Sequence, residues 1–202
     1  MPFPTTNAQT ELQAVNEILA SVGQAPVTTL EQTNPDVAIA YDTLIQVSRE
    51  VQAEGWTFNT EYEYPITPNT NDEILIPNNV LAMDLTPSYG DKDVVRRNGK
   101  LYDKIAHSYE FTEEVCCDII WYFDWVDLPI PIKDYIVARS ASIVSTRIVG
   151  DTSQYQMLQQ REAYMRAIAL EYECTQGDYT FFGHPRGSNY YTSYEPYRAL
   201  YR

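Results

Sequence analysis

At Gly55 the spacing of apolar residues changes from three-and-four to two, with no polar loop in between. Upstream, Val37, Tyr41, Leu44, Ser48 and Val51 recur at helical spacing, and Ile45 and Val47 widen the stripe. Asp42, Gln46, Arg49, Gln52 and Glu54 are left for solvent. Asn34 supplies a capping acceptor, Pro35 suits the first helical position, and Asp36 places negative charge at the positive end of the helix dipole. Gly55 stops the helix, because glycine takes the left-handed conformation that closes a helix end. Beyond it Trp56, Phe58, Thr60, Tyr62, Tyr64 and Ile66 alternate with Thr57, Asn59, Glu61, Glu63 and Pro65, with Glu61 and Glu63 on the face opposite the aromatic set. The expectation is a long helix turning directly into a strand, and hence an α+β chain in which a helical layer is joined to a sheet.

The other helices are marked in the same way. Thr6 with Gln9 fits a capping box for a first helix starting near Thr6 or Asn7, with Leu12, Val15, Ile18, Leu19 and Val22 as its stripe. Gly23 and Pro26 end it, and the short connection to Asn34 predicts antiparallel packing of the first two helices. After Leu128-Pro129-Ile130-Pro131 a third helix carries Ile132, Tyr135, Ile136, Val137, Ala141, Ile143, Val144 and Ile148, so little of it is polar and it should lie between others. Gly150 closes it. Asp151 with Gln154 caps a fourth, with Leu158, Met165, Ile168, Ala169 and Tyr172 inward and Arg161, Glu162, Arg166, Glu171 and Glu173 on an exposed face of mixed charge.

Between these helices the chain reads as strand, punctuated at Pro68-Asn69-Thr70-Asn71-Asp72, at Pro77-Asn78-Asn79, at Pro87 and at Gly90-Asp91. Asn98-Gly99, set between Val94-Val95-Arg96-Arg97 and Lys100-Leu101-Tyr102, is a hairpin signal, since a tight turn needs two positive backbone angles. Val115, Cys117, Ile119, Trp121 and Phe123 alternate with Cys116, Asp118, Ile120, Tyr122 and Asp124 in a strand whose second face is also partly apolar. Such a strand is central in its sheet or covered by a neighbouring subunit. From Gly177 no period organises the many aromatics, which predicts an extended arm that orders on a partner, the alternative being a floppy or self-packed terminus. The division is an antiparallel bundle of about four helices from residues 1–56 and 127–176, a β-rich insertion over 57–126, and an arm over 177–202.

The 202 residues carry a net charge of −14, with a pI near 4.4, which argues against binding nucleic acid through its backbone. An acidic surface instead suits a conduit along which DNA slides without sticking. The N-terminus has no signal-peptide pattern and no stretch approaches a membrane span. Three cysteines, two of them adjacent at Cys116 and Cys117, make no disulfide framework. Carboxylate pairs at Glu61 with Glu63, Glu113 with Glu114, and Asp124 with Asp127 are what a glycoside hydrolase needs, though such pairs are ordinary in an acidic chain. His107 and His184 have no second histidine at metal-ligand spacing. Cys174 has no histidine base beside it, and the chain has no nucleophile elbow, phosphate loop or dinucleotide fingerprint. No cofactor is expected.

The run Ala14-Val15-Asn16-Glu17-Ile18-Leu19-Ala20-Ser21-Val22-Gly23-Gln24-Ala25-Pro26-Val27-Thr28-Thr29-Leu30, and the helix ending in Gly55-Trp56-Thr57-Phe58-Asn59, resemble the tail tubular protein A family. These adaptor or gatekeeper proteins join portal to nozzle in short-tailed bacteriophages. Leu128-Pro129 ahead of the third helix, the last long helix and the overall length extend the resemblance. It implies a dodecameric ring of identical copies beneath the portal protein, with a nozzle protein of the tail tubular protein B type below and tail fibres around the junction. It further implies a structural virion protein of the tail, assembled in the host cytoplasm, that helps retain packaged DNA. Genomic DNA would pass through its channel on ejection without specific binding.

On that footing the arm is expected to bind the portal through Tyr179, Phe181, Phe182, Arg186, Tyr190, Tyr191, Tyr194, Tyr197, Arg198, Tyr201 and Arg202. The turns at Asn69, Asn71 and Asp72 and at Asn98 and Gly99 are expected to face nozzle or fibres. The alternatives are a virion-associated glycan hydrolase using a carboxylate pair, and a soluble adaptor unrelated to phages.

Overall fold

The computed structural model of the chain describes residues 9–31, 34–86 and 92–177. Among them are four helices and two antiparallel sheets, an α+β composition. The chain divides into two compact units, one helical and drawn from both of its ends, the other strand-rich and drawn from its middle.

In the helical unit, α1 spans Glu11–Ser21. Its capping box is Thr10 with Gln13, four residues later than the Thr6 and Gln9 pair that the sequence suggested. Thr10-Glu11-Leu12-Gln13 bears the same signature and adds an acid in the first turn, which the helix dipole favours. The helix closes on Gly23 at φ +78°, where Gln24 N–H donates to the Leu19 carbonyl and Gly23 N–H to that of Ala20. The returning chain is then held by Asn16, whose side chain donates to the Val27 carbonyl at 2.9 Å and accepts from the Val27 N–H at 2.7 Å.

Helix α2, Pro35–Gln52, starts as its sequence dictates: the Asn34 side chain accepts from Asp36 N–H at 3.0 Å. Its buried stripe is Val37, Ala40, Thr43, Leu44, Val47, Ser48, Val51 and Gln52. Gln52, expected in solvent, is fully buried. Helix α3, Ile130–Ile148, packs against both α1 and α2 and buries eleven of its nineteen residues, which accounts for its nearly uniform apolarity. Helix α4, Thr152–Gly177, starts at Asp151, whose carboxylate accepts from Ser153 and Gln154 N–H.

The strand-rich unit covers Gly55–Tyr122 and takes in the last turn of α4 from Cys174. The expected weld of helix to strand is absent. After Gly55, at φ +78°, residues 56–59 form a turn closed by Asn59, and the first strand, β1, is Thr60–Ile66. Asn59 carries the backbone pairing one step beyond β1, because its side chain donates to the Trp121 carbonyl and its own carbonyl accepts from Trp121 N–H, both at 2.8 Å.

Strands β2 (Val80–Leu85) and β5 (Val115–Trp121) complete a sheet ordered β1-β5-β2. Strand β5 is therefore the central strand its two-faced pattern implied. Strands β3 (Val94–Arg97) and β4 (Lys100–Asp103) form the expected hairpin, with Asn98 at φ +52° and Gly99 at φ +71°. Ile74, Ile76, Val94, Leu101, Phe111, Val115, Cys117 and Ile119 make the core of this unit. Each such burial contributes about 1.5–3 kcal/mol for the larger aliphatic side chains.

Candidate assembly surfaces

The two turns expected to meet a partner are built differently. Asn98-Gly99 is a two-residue hairpin turn with Asn98 exposed, and the Gly99 carbonyl accepts from Ile76 N–H at 2.8 Å. In the other turn the Asn69 side chain accepts from the N–H groups of Asn71 and Glu73, so Asn69 shapes its own loop and Asn71 and Asp72 are the exposed members. Asp72, at φ +57°, gives its carbonyl to Phe111 N–H at 2.7 Å. Leu75 pairs antiparallel with Lys100, so Gly99 lies beside one end of residues 73–76 and Asp72 leaves from the other. The turns thus stand about 10–13 Å of extended chain apart and form two separate surfaces.

Among the described residues of the helical unit, helix α4 carries three exposed large apolar side chains. Polar contacts fasten it: Gln154 donates to the Ser21 carbonyl, Arg161 pairs with Glu17, and Glu162 accepts from Ser142. Arg166 donates to the Tyr135 hydroxyl at 2.8 Å and to Glu54 at 3.2 Å. Arg161 and Arg166 are exposed, as the sequence implied, and with the half-buried Glu162 they also bind α4 to its neighbours. Leu158, Met165, Ile168 and Tyr172 are half-buried and Ala169 fully so, as their spacing implied. Away from them Met157, Tyr164 and Leu170 are 67%, 64% and 45% exposed, on an arc that also holds Ala163 and Ala167. The sequence reading missed these three because Gln156, Gln160 and Glu171 stand on the same side, so no apolar stripe marks it.

The carboxylate pairs are not assembled for chemistry. Glu61 and Glu63 flank an irregularity in the β1 register, and Glu63 adopts φ +54°, so the simple alternation that put both on one face fails. Tyr62 and Tyr64, expected to face the other way, are themselves 50% and 40% exposed. Glu61 accepts a hydrogen bond from the Trp121 indole at 3.1 Å, and Glu63 N–H donates to Asp118. Glu113 and Glu114 are exposed ahead of β5, and Asp124 and Asp127 bracket a single 3-10 turn, Trp125–Asp127.

Cys117 lies on the core face of β5, while Cys116 on the other face is half-buried and Cys174 exposed. Burial first, and then the nearby charges of Cys116, Asp118 and Asp84, push the Cys117 thiol up to about 11. Such a thiol is a packing group rather than a nucleophile. His107 is exposed in a turn at φ +54°. No group of three or more metal-ligating side chains occurs among the described residues, and none of their helices is long and apolar enough to cross a membrane. His184 and the eleven arm residues named for the portal, Tyr179 to Arg202, lie outside the described residues.

The family described as tail tubular protein matches residues 12–179, most of both units. The chain belongs to that family. It is also similar to tail tubular protein A of Klebsiella phage KP34, with 27% identity over 163 residues, covering 80% of this chain and 86% of that protein. As a tail tubular protein it is a structural component of a bacteriophage tail, and so of the virion, rather than an enzyme. The glycan-hydrolase alternative falls with that assignment, as does an adaptor unrelated to phages. The runs that carried the resemblance include Asn16 and Asn59, whose side chains hold Val27 and Trp121. These residues fix where the chain turns back on itself.

Proposed function

We propose that this tail tubular protein is the ring-forming adaptor between portal and tail nozzle, and that it acts by association and rearrangement rather than bond-making. The helices from both ends of the chain would act as a bundle that closes a dodecameric ring. The observation that carries this reading is the exposure of Met157, Tyr164 and Leu170 on α4, beside the polar contacts that fasten the helix. A head-to-tail ring covers such an arc on every copy without leaving an open end.

In this reading the 177–202 arm engages the portal protein through its tyrosines and arginines. The turns at residues 69–72 and 98–99 meet a nozzle protein of the tail tubular protein B type and the tail fibre, each through its own surface. The net charge of −14 keeps genomic DNA from adhering as it is retained and then ejected through the channel. Assembly takes place in the host cytoplasm. Mixing the purified full chain with portal and nozzle proteins and imaging the product by electron microscopy tests the reading. A ring seated between the two supports it, and direct joining of portal to nozzle with this chain left free in solution overturns it.

A further inference from the structure

The alternation of side chains along its strands gives the strand-rich unit two outer faces of opposite charge. Val94 and Leu101 of the β3–β4 hairpin and Val115, Cys117 and Ile119 of β5 are buried in one core, so the residues that alternate with them look away from it. On the hairpin these are Val95, opposite Tyr102, and Arg97, opposite Lys100. Lys100 is bound to Glu73 at 2.7 Å, whereas Arg97 lies over the Tyr102 ring, its guanidinium carbon 4.2 Å from the centroid. Tyr109 supports that ring edge to face at 4.9 Å. On the three-stranded sheet the outer face carries Asp118 of β5 and, directly opposite it in the register, Asp84 of β2. Glu63 N–H donates to Asp118 Oδ1 at 2.9 Å, which ties the irregular part of β1 to the same carboxylate.

Two carboxylates directly across a strand pair repel each other. None of the ion pairs among the described residues includes Asp84, Asp118 or Arg97. The hairpin is also where the chain concentrates positive charge: residues 92–104 hold five lysines and arginines against Asp93 and Asp103, a net +3, so the remainder carries −17 against a total of −14. We infer that the outer face of the hairpin is a docking surface for a second copy of this chain, whose Asp84 and Asp118 receive Arg97. Side chains directly across two strands start about 5 Å apart, within reach of one planar guanidinium that meets both carboxylates. A guanidinium already laid on a ring loses little freedom when it pairs. Because the two faces differ and look away from a common core, copies joined in this way follow one another head to tail, each using both. The inference rests on the ring reading and adds to it a second contact, made by the strand-rich units, beside the one proposed for α4. The Asn98-Gly99 tip lies at the end of the hairpin rather than on its face and keeps the role proposed for it.

The test uses the full chain with p-benzoylphenylalanine in place of Ala82, an exposed residue that pairs with Ile120 and so shares the outer face of Asp84 and Asp118. Isotopically heavy and light chains are mixed in equal amounts, assembled on purified portal, weighed, irradiated and analysed by mass spectrometry. The expected product joins position 82 of one label to residues 95–102 of the other. Arg97→Glu should lower its yield about tenfold, and adding Asp84→Arg should restore most of it, which also shows that the single variant folds. A yield unmoved by Arg97→Glu, or not restored by the second substitution, overturns the pairing. A complex of ring mass in which position 82 joins the portal, another segment of a neighbouring copy, or nothing, overturns the inference and leaves the ring reading standing. Isolated copies on the portal, with no heavy-to-light product, overturn both.

Discussion

Gln52 closes a two-point hydrogen bond on the backbone of Phe123: its Oε1 accepts from the Phe123 N–H at 2.8 Å and its Nε2 donates to the Phe123 carbonyl at 3.1 Å. The chain leaves the helical unit just after the first residue and returns to it at the second, so one buried amide fixes both crossings. An amide is suited to this because it offers a donor and an acceptor side by side, the same pair a neighbouring strand would present. In the strand-rich unit Asn59 holds Trp121 by a different pair, its side-chain Nδ2 donating to the Trp121 carbonyl and its backbone carbonyl accepting from the Trp121 N–H, both at 2.8 Å.

Gln52→Met preserves volume but removes both hydrogen bonds to the Phe123 backbone. Losing the two should cost about 1–3 kcal/mol. Urea unfolding of the variant should show a clearly lowered midpoint, and an unchanged midpoint would mean the clamp does not matter to stability.

Tyr135, fully buried in α3, is the shared acceptor for Arg166 at 2.8 Å and Arg139 at 3.3 Å. Tyr135→Phe removes that acceptor without opening a cavity, at about 1.5–3 kcal/mol for hydrogen bonds to charged groups. The loss should be local: amide exchange should quicken along α4 while α1 and α2 keep their protection. Uniform loss of protection would show that α4 and the other helices unfold as one.

Gly55→Ala should be costly for two reasons. Its φ of +78° suits glycine, and a Cβ there would stand 2.9 Å from Ile120 Cδ1. A cost of about 2 kcal/mol is expected. Ile120→Val removes the facing methyl, so the double variant should be more stable than the sum of the two single effects implies. Strict additivity would leave the backbone angle as the sole cause.

How much of this was readable beforehand follows from what each signal depends on. The caps at Asn34 and Asp151, the Asn98-Gly99 turn, the stops at Gly23, Gly55 and Gly150 and the centrality of β5 rest on local stereochemistry or on two-faced apolarity, both of which the sequence displays directly. Gln52 was misplaced because polarity suggests solvent, and only the fold brings the Phe123 N–H and carbonyl within reach of its side chain. The run from Trp56 to Tyr64 alternates like a strand, but its first residues are held in a turn by Asn59, and the irregularity near Glu63 breaks the alternation further on. Period cannot reveal a tertiary contact. Met157, Tyr164 and Leu170 were invisible for the converse reason, since they stand among polar residues of α4 outside the inward stripe that the period does show.

Cys117 gives the chain a predictable response to alkali. Its thiol holds its proton more tightly in the fold, about 11 against an ordinary 9.0, because ionisation would place charge in the core. The contribution to stability is therefore complete below pH 9 and is lost as pH rises from 9 through 11. At pH 8 an alkylating reagent should label Cys174 quickly and Cys117 only after denaturant is added. Cys117→Val should remove part of the alkaline loss of stability, and rapid native-state labelling of Cys117 would contradict its placement.

The central claim is that the outward arc of α4 is covered by a neighbouring copy. Its most direct test is the mass of the complex formed on purified portal by wild-type chain and by a Tyr164→Glu, Leu170→Glu variant, whose substitutions fall on exposed positions and should change stability by less than about 0.5 kcal/mol. The account predicts a closed ring of twelve copies for the wild type and isolated or missing copies for the folded variant. Full rings from the variant would contradict it.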